Sequence, residues 1–405
     1  MTDFTKLGHL RWEDVAEHAS DEVRRALETV LASTDGGRLR REECVCLAKT
    51  TGDDLMALAV AANELRRTMI GDTVTYVVNR NINFTNVCFV GCKFCAFSVG
   101  PNDDTRYFLT LADVGRKTRE ARDRGASEVC IQGGLPRNLP PFYYRDILKA
   151  VKAAVPDMHA HAFSPMEVDY GVSLTEMTVR DYLRMMKDAG LDTLPGTAAE
   201  ILSDDVRQVV SRNKLTSARW QEIVTTAHEC GIRSTSTMMY GHVETPEHWV
   251  DHMRLLRAIQ ARTGGFTEFV PLGFVHQNTL LFHEGLSRPG PTLDEHVRVH
   301  ALARVMLAGA IANIQVSWVK LTRETARLCL LAGANDYGGT LMEENISRLA
   351  GATSGEYLAP AQIEERIREA GRNPAQRNTT YTRIANAGVS PAIAVGNAGV
   401  SPATQ

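Results

Sequence analysis

Three cysteines, Cys88, Cys92 and Cys95, fall within the stretch NRNINFTNVCFVGCKFCAFSVG (79–100), spaced Cys-x3-Cys-x2-Cys. Three thiolates on one short loop can hold three irons of a 4Fe-4S cluster, because iron–sulfur clusters take cysteine ligands. The fourth iron is then open to a substrate. Gly91 sits inside the loop, where wrapping a cluster demands close backbone approach. A structural zinc ion asks for a fourth Cys or His at short spacing, and none lies between Val99 and Val129. The open-cornered cluster is therefore favoured over zinc and over buried packing thiols. The remaining cysteines, Cys44, Cys46, Cys130, Cys230 and Cys329, are scattered over expected helices or a strand and read as small core residues.

Such a loop must be carried by a scaffold. Residues 1–72 read as a helical segment, with Glu42–Arg67 apolar at helical spacing and interrupted by a Thr-Gly-Asp-Asp turn. From residue 73 the texture changes to short apolar runs separated by amphipathic helices. Expected strands are Val74–Ile82, Glu128–Gln132, Met158–Phe163, Asp192–Leu194, Arg233–Met238, Glu268–Pro271, Ile314–Val316 and Asp336–Tyr337. Helical patterns such as Leu111–Arg124, Thr216–Cys230 and Pro246–Thr263 alternate with them. The alternation implies an α/β fold, a (β/α)8 TIM-type barrel over 73–355. A C-terminal helical extension is expected over 356–384. A flexible tail follows over 385–405, where NAGVSPA occurs twice with little to bury and no catalytic role.

Barrels build active sites at the C-terminal ends of their strands. The cysteine loop follows the first strand there. Gln132-Gly133-Gly134 follows the second, HAHAFSP (159–165) ends the third and PGTAAE (195–200) follows the fourth. MYGHVET (239–245) follows the fifth, His276 and Asn278 lie just beyond the sixth, and GGTLMEEN (338–345) follows the eighth. The alternating histidines His159 and His161 read as neutral interior residues more than as a metal pair.

Acidic residues number 48 and basic ones 45, a formal charge of −3, which argues against a polybasic nucleic-acid surface or a membrane-attracted face. Hydrophobic residues make up 44% of the chain, enough for a sizeable core. No apolar run approaches the ~18 residues of a spanning helix. The start, MTDFTKLGHLRWEDV, lacks the layout of a secretory signal. A cytoplasmic protein without nucleic-acid or membrane partners is expected, and in a reducing cytosol clustered cysteines read first as metal chemistry.

The cysteine array with Phe94 before its last member resembles the signature of radical S-adenosylmethionine (SAM) enzymes. The resemblance implies one 4Fe-4S cluster on Cys88, Cys92 and Cys95, an exchangeable SAM chelated by the open iron, and cleavage of SAM to methionine and a 5′-deoxyadenosyl radical. It assigns Gln132, Gly133 and Gly134 to the SAM amino group. It adds Phe94, and Glu200 with Arg212 for the ribose or amine and the carboxylate of SAM.

Longer strings, among them PGTAAEIL, MYGHVETPEHW, GGFTEFVPL and GGTLMEENISR, resemble a narrower family over 79–352. That family is the tyrosine-using 5-amino-6-(D-ribitylamino)uracil–L-tyrosine 4-hydroxyphenyl transferases, one half of the FO synthase system of coenzyme F420 biosynthesis. The resemblance implies hydrogen removal from L-tyrosine, rupture of its Cα–Cβ bond to leave 2-iminoacetate, and attachment of the 4-hydroxybenzyl fragment to C5 of the uracil. It also implies an electron donor and a separate ring-closing radical SAM half as partners. Candidate substrate contacts are His242, Glu244, His276, Asn278, Glu343 and Asn345, with no catalytic side chain assigned beyond the cluster. The pattern departs from the family at Leu135-Pro136-Arg137, where Asn-Pro is common, and at Ser354, where His is common. The alternatives are a menaquinone-pathway enzyme (aminofutalosine synthase or dehypoxanthine futalosine cyclase) and, from another class, a non-catalytic iron–sulfur electron carrier.

Overall fold

The structure, a computed structural model, describes residues 2–384. The tail expected over 385–405, with both NAGVSPA copies, lies outside the described residues. Among the described residues nine strands form: β1 (Thr73–Val77), β2 (Asn79–Ile82), β3 (Glu128–Ile131), β4 (His159–Ala162), β5 (Thr193–Leu194), β6 (Arg233–Tyr240), β7 (Phe266–Gly273), β8 (Asp336–Gly339) and β9 (Asn373–Arg377). β2 to β7 make a parallel sheet in chain order, and β1 pairs in parallel with β8. Parallel bridges from Phe269 to Ile314 and from Gln315 to Asp336 carry the ring from β7 to β8. The strand expected at Ile314–Val316 is thus reduced to bridged residues, but it occupies the seventh place of the curled barrel.

The crossover helices follow the sequence closely. Leu111–Asp123, Tyr143–Ala154, Val179–Asp188, Ser217–Glu229, Pro246–Thr263, Leu293–Leu307 and Arg323–Leu331 lie between successive strands. Their starts are written locally. Thr110, Thr178, Thr216, Thr292 and Thr322 each accept the backbone N–H three residues on, satisfying donors the helix leaves free. The same logic starts a helix that periodicity alone does not reveal, Pro165–Ser173. Ser164 caps it, Pro165 stands at its first turn and Glu167 completes the capping box.

The N-terminal helices end in Arg41–Ala48 and Gly52–Ile70. The break falls at residues 49–51, just ahead of the expected Thr-Gly-Asp-Asp turn, whose Gly52, Asp53 and Asp54 form the first turn of the second helix. Gly52–Ile70 buries Leu55, Leu58, Ala62 and Leu65 and packs on Leu293–Leu307. No helix among the described residues is long and apolar enough to cross a membrane.

The extension expected to be helical over 356–384 is helical only in part. The helix Pro360–Glu369 is followed by β9, which pairs in parallel with β1 from Thr73–Asn373 to Val77–Arg377. Its residues, NPAQR, show no apolar alternation, because the free backbone edge of β1 makes this strand rather than side-chain burial. Its end delivers charge into the barrel. Arg377 is buried, donating to Asp336 at 2.6 and 3.0 Å and to Glu268 at 3.3 Å. Tyr381 bonds Glu268 and Thr379 bonds Glu128, so the C-terminal segment closes the floor of the barrel.

Candidate functional site

The loop after β2 is held from several sides. Cys88 N–H donates to Val99 at 3.1 Å, Phe89 N–H to Leu135 at 3.0 Å and Lys93 N–H to Val210 at 3.0 Å, while Asn213 Nδ2 donates to Val90 at 3.0 Å. Gly91 takes a φ of 68°, which a glycine adopts without strain. Cys88, Cys92 and Cys95 then line one cavity of about 240 Å³, with Phe94, Gln132, Gly133 and Gly134. Burial raises the Cys88 thiol and pushes Cys92 up to about 12. Among the described residues no three His, Cys, Asp or Glu side chains gather on a point fit for a single metal ion.

The two glycines after β3 have a reason of their own. A Cβ on Gly133 would lie 2.6 Å from the Phe84 ring, and one on Gly134 only 2.2 Å from the Val87 carbonyl oxygen. They let the cysteine loop lie on the end of β3. Gly133 N–H also donates to Glu167 at 3.0 Å. Glu167 accepts from the backbone and hydroxyl of Ser164 as well, and burial pushes its carboxyl up to about 7 against these donors.

Across the cavity stands Glu200, buried and at a positive φ of 42°. Burial opposes its ionisation, yet the Lys214 ammonium beside it overrides this and holds the carboxyl below its usual range. Lys214 also sits 5.0 Å from the centre of the Phe94 ring. Arg212, expected as Glu200's companion, is exposed and lines none of the cavities described here; Lys214 takes that place. Arg207, buried nearby, donates to the carbonyls of Ala198, Ala199 and Leu215 and so fixes the loop that presents Glu200. Phe163, Ala198, Glu200, Leu341 and Met342 all have positive φ at the C-terminal ends of strands, strain concentrated where function is built.

A second cavity, about 260 Å³, fills the barrel interior and shares Gln132, Thr197, Leu272, Lys320 and Ile346 with the first. Its lining follows the two-residue period of strands: Asn79, Asn81 and Asn83, then Glu128, Cys130 and Gln132, then Glu268, Val270 and Leu272. Cys130, expected as core, faces this cavity. His161 faces it too, neutral because burial lowers it to about 4, and it shares the Thr193 hydroxyl with His159.

The expected substrate contacts divide. Glu343 and Asn345 line a third cavity of about 510 Å³ that meets the others at Asn83 and Phe97. There Glu343 is held by Arg80 at 2.8 Å and Lys117 at 2.8 Å. His276 lines a fourth, beside Lys320. Asn278 is exposed and ties the backbone carbonyl of Leu349 at 2.9 Å. His242 and Glu244 line none of these four cavities. Glu244 accepts from the backbone of Gly241 and His242 and from Trp249 Nε1 at 3.0 Å, while His242 bonds the Met239 carbonyl at 3.0 Å. They brace the loop after β6. The sequence reading missed Glu167, whose signal was the Ser-Pro-x-Glu capping box. It also missed Lys214, Lys320 and Arg377, which carry no local signal.

Residues 82–256 match the family model described as "Radical SAM superfamily", and residues 263–388 match "CofH/MqnC C-terminal region". Fold comparison agrees. The hydrogenase maturase HydG superposes with a TM-score of 0.70 at 14% identity, over 90% of this chain and 78% of that one. Methylornithine synthase PylB gives 0.67 at 17% identity, over 86% and 97%. The protein is a radical SAM enzyme, a class defined by a 4Fe-4S cluster and SAM. The 5-amino-6-(D-ribitylamino)uracil–L-tyrosine 4-hydroxyphenyl transferase of Methanothermobacter thermautotrophicus is 49% identical over 85% of this chain and 94% of its own length. The chain belongs to that transferase family. The FO synthase of Mycobacterium tuberculosis is 50% identical over 92% of this chain, which spans only 45% of that longer protein.

Proposed function

We propose that this chain transfers the 4-hydroxybenzyl group of L-tyrosine to 5-amino-6-(D-ribitylamino)uracil. The products are 5-amino-5-(4-hydroxybenzyl)-6-(D-ribitylimino)-5,6-dihydrouracil, 2-iminoacetate, methionine and 5′-deoxyadenosine. One observation carries most of the weight: a cavity lined by three thiols adjoins a polar barrel interior, the two sharing Gln132, Thr197 and Lys320 as walls. An electron carrier needs four protein ligands and no such interior. The Methanothermobacter and Mycobacterium relatives favour the F420 branch over the menaquinone branch.

Cys88, Cys92 and Cys95 would hold three irons, which would compensate the burial that keeps the Cys88 and Cys92 thiols protonated. Phe94, Gln132, Gly133, Gly134 and Glu200 would surround SAM, with Lys214 in place of Arg212. Bound there, cluster and SAM supply a 5′-deoxyadenosyl radical. The chain's own work is placement. Thr197 fixes the Gln132 side chain at 3.0 Å between the two cavities. Asn79, Asn81, His161 and Gln315 offer a polyhydroxylated uracil fixed polar partners, and each buried group left unpaired by a wrong ligand costs ~1–3 kcal/mol. An electron donor and a ring-closing radical SAM half complete the pathway, the latter matching the extra length of the FO synthases.

Replacing Cys92 by Ala tests the cluster assignment. Anaerobic reconstitution with iron and sulfide should then yield no 5′-deoxyadenosine from SAM under reduction. Full production by the variant, cluster intact, would overturn the ligand set.

A further inference from the structure

Lys320 stands where the two main cavities meet. It ends the short 3-10 turn Trp318–Lys320, just past the bridged seventh strand position. It lines the thiol cavity, the barrel interior and the cavity beside His276. Its Nζ donates to Ser347 Oγ at 2.7 Å, and Ser347 Oγ donates on to Glu344 at 3.3 Å. That carboxylate is already engaged by the Ser347 backbone N–H at 2.9 Å.

The other cations here are committed. Lys214 is paired with Glu200, Arg377 with Asp336 and Glu268, and Lys117 with Glu343. Among the described residues, Lys320's direct partner is a neutral hydroxyl. Burial lowers its ammonium from the ordinary lysine range, with Glu344 and Glu200 pulling the other way. A half-buried cation facing a cavity in this state gains most from an arriving anion.

We propose that Lys320 binds the α-carboxylate of the amino-acid substrate. This fixes the substrate's Cα at the boundary between the cavity that supplies the radical and the polar interior that receives the aryl fragment. The inference rests on the tyrosine reading above. It accounts for a cation at the one place that all three cavities share. SAM also carries a carboxylate, so the two sources must be separated by experiment.

The test measures equilibrium binding to cluster-loaded protein. L-Tyrosine and tyramine, which lacks the carboxylate, are titrated in the presence of SAM, and SAM is titrated alone. Wild type should prefer tyrosine to tyramine. K320M and K320Q should bind tyrosine about 10- to 100-fold more weakly, with tyramine and SAM affinities unchanged, and K320R should keep the preference. The glutamine variant can still bond Ser347, which guards against misfolding. Unchanged tyrosine affinity in K320Q would overturn the proposal. So would equal loss of tyrosine and tyramine, or a loss confined to SAM. Failure of the wild type itself to bind tyrosine would instead overturn the functional reading on which the inference rests.

Discussion

At the scale of single residues, the site is a problem of charge kept from water. Glu200 is buried against the largely covered Lys214, and each is tolerable only because of the other. Removing one partner of such a pair leaves an uncompensated charge and costs about 3–5 kcal/mol. Lys214→Met should therefore lower the urea midpoint strongly and weaken SAM binding. Arg212→Ala, two residues away and exposed, should change neither. The opposite ranking, measured by urea unfolding and SAM titration, would restore Arg212 as Glu200's companion. The sequence showed a basic residue shortly after PGTAAE but not which one. Choosing between Arg212 and Lys214 depends on how the chain between Val210 and Leu215 turns, and that turn is fixed by long-range bonds such as Asn213 to Val90.

At the scale of elements, the barrel floor belongs to β9. Arg377→Met strands Asp336 and Glu268 as buried carboxylates without their cation, again a loss of about 3–5 kcal/mol by urea unfolding. A neutral result would show that the C-terminal segment merely rests on the barrel. The strands and crossover helices were legible because their signals are local. Apolar runs and helical spacing placed Pro246–Thr263 to the residue and most others within one or two. β9 was not legible, since pairing with β1 puts no apolar period into NPAQR. The helix Pro165–Ser173 is written in its cap rather than in apolar periodicity. The cysteine loop was the clearest signal of all, because three thiols on one loop are close in sequence as well as in space. His242 and Glu244 misled for the converse reason: these polar residues at a strand's end brace the loop instead of facing the cavity.

At the scale of the molecule, the interior holds its histidines in their neutral forms. Burial lowers His161, His228 and His300 to about 4 and His252 and His296 to about 3. Their folded values lie below the unfolded 6.5, so their stability is whole above pH 6.5 and is lost as pH falls toward 4. Glu167 and Glu268, raised to about 7, act in the opposite sense over 4.5 to 7 and offset part of this. Stability from urea unfolding should therefore fall between pH 6.5 and 5. His228→Gln, which removes one titrating group bonded to Thr263 and Ser234, should flatten that slope by about 1.4 kcal/mol per pH unit. An unchanged slope would contradict a neutral His228.

The central claim is that one radical SAM site joins a tyrosine fragment to a ribitylaminouracil. The direct measurement incubates the reduced, cluster-loaded enzyme with SAM, L-tyrosine and 5-amino-6-(D-ribitylamino)uracil and follows products by mass spectrometry. The 4-hydroxybenzyl adduct, with 2-iminoacetate and 5′-deoxyadenosine, should form only when both substrates are present, and phenylalanine should not replace tyrosine. Absence of the adduct, together with radical rearrangement of a futalosine-type substrate, would contradict the account.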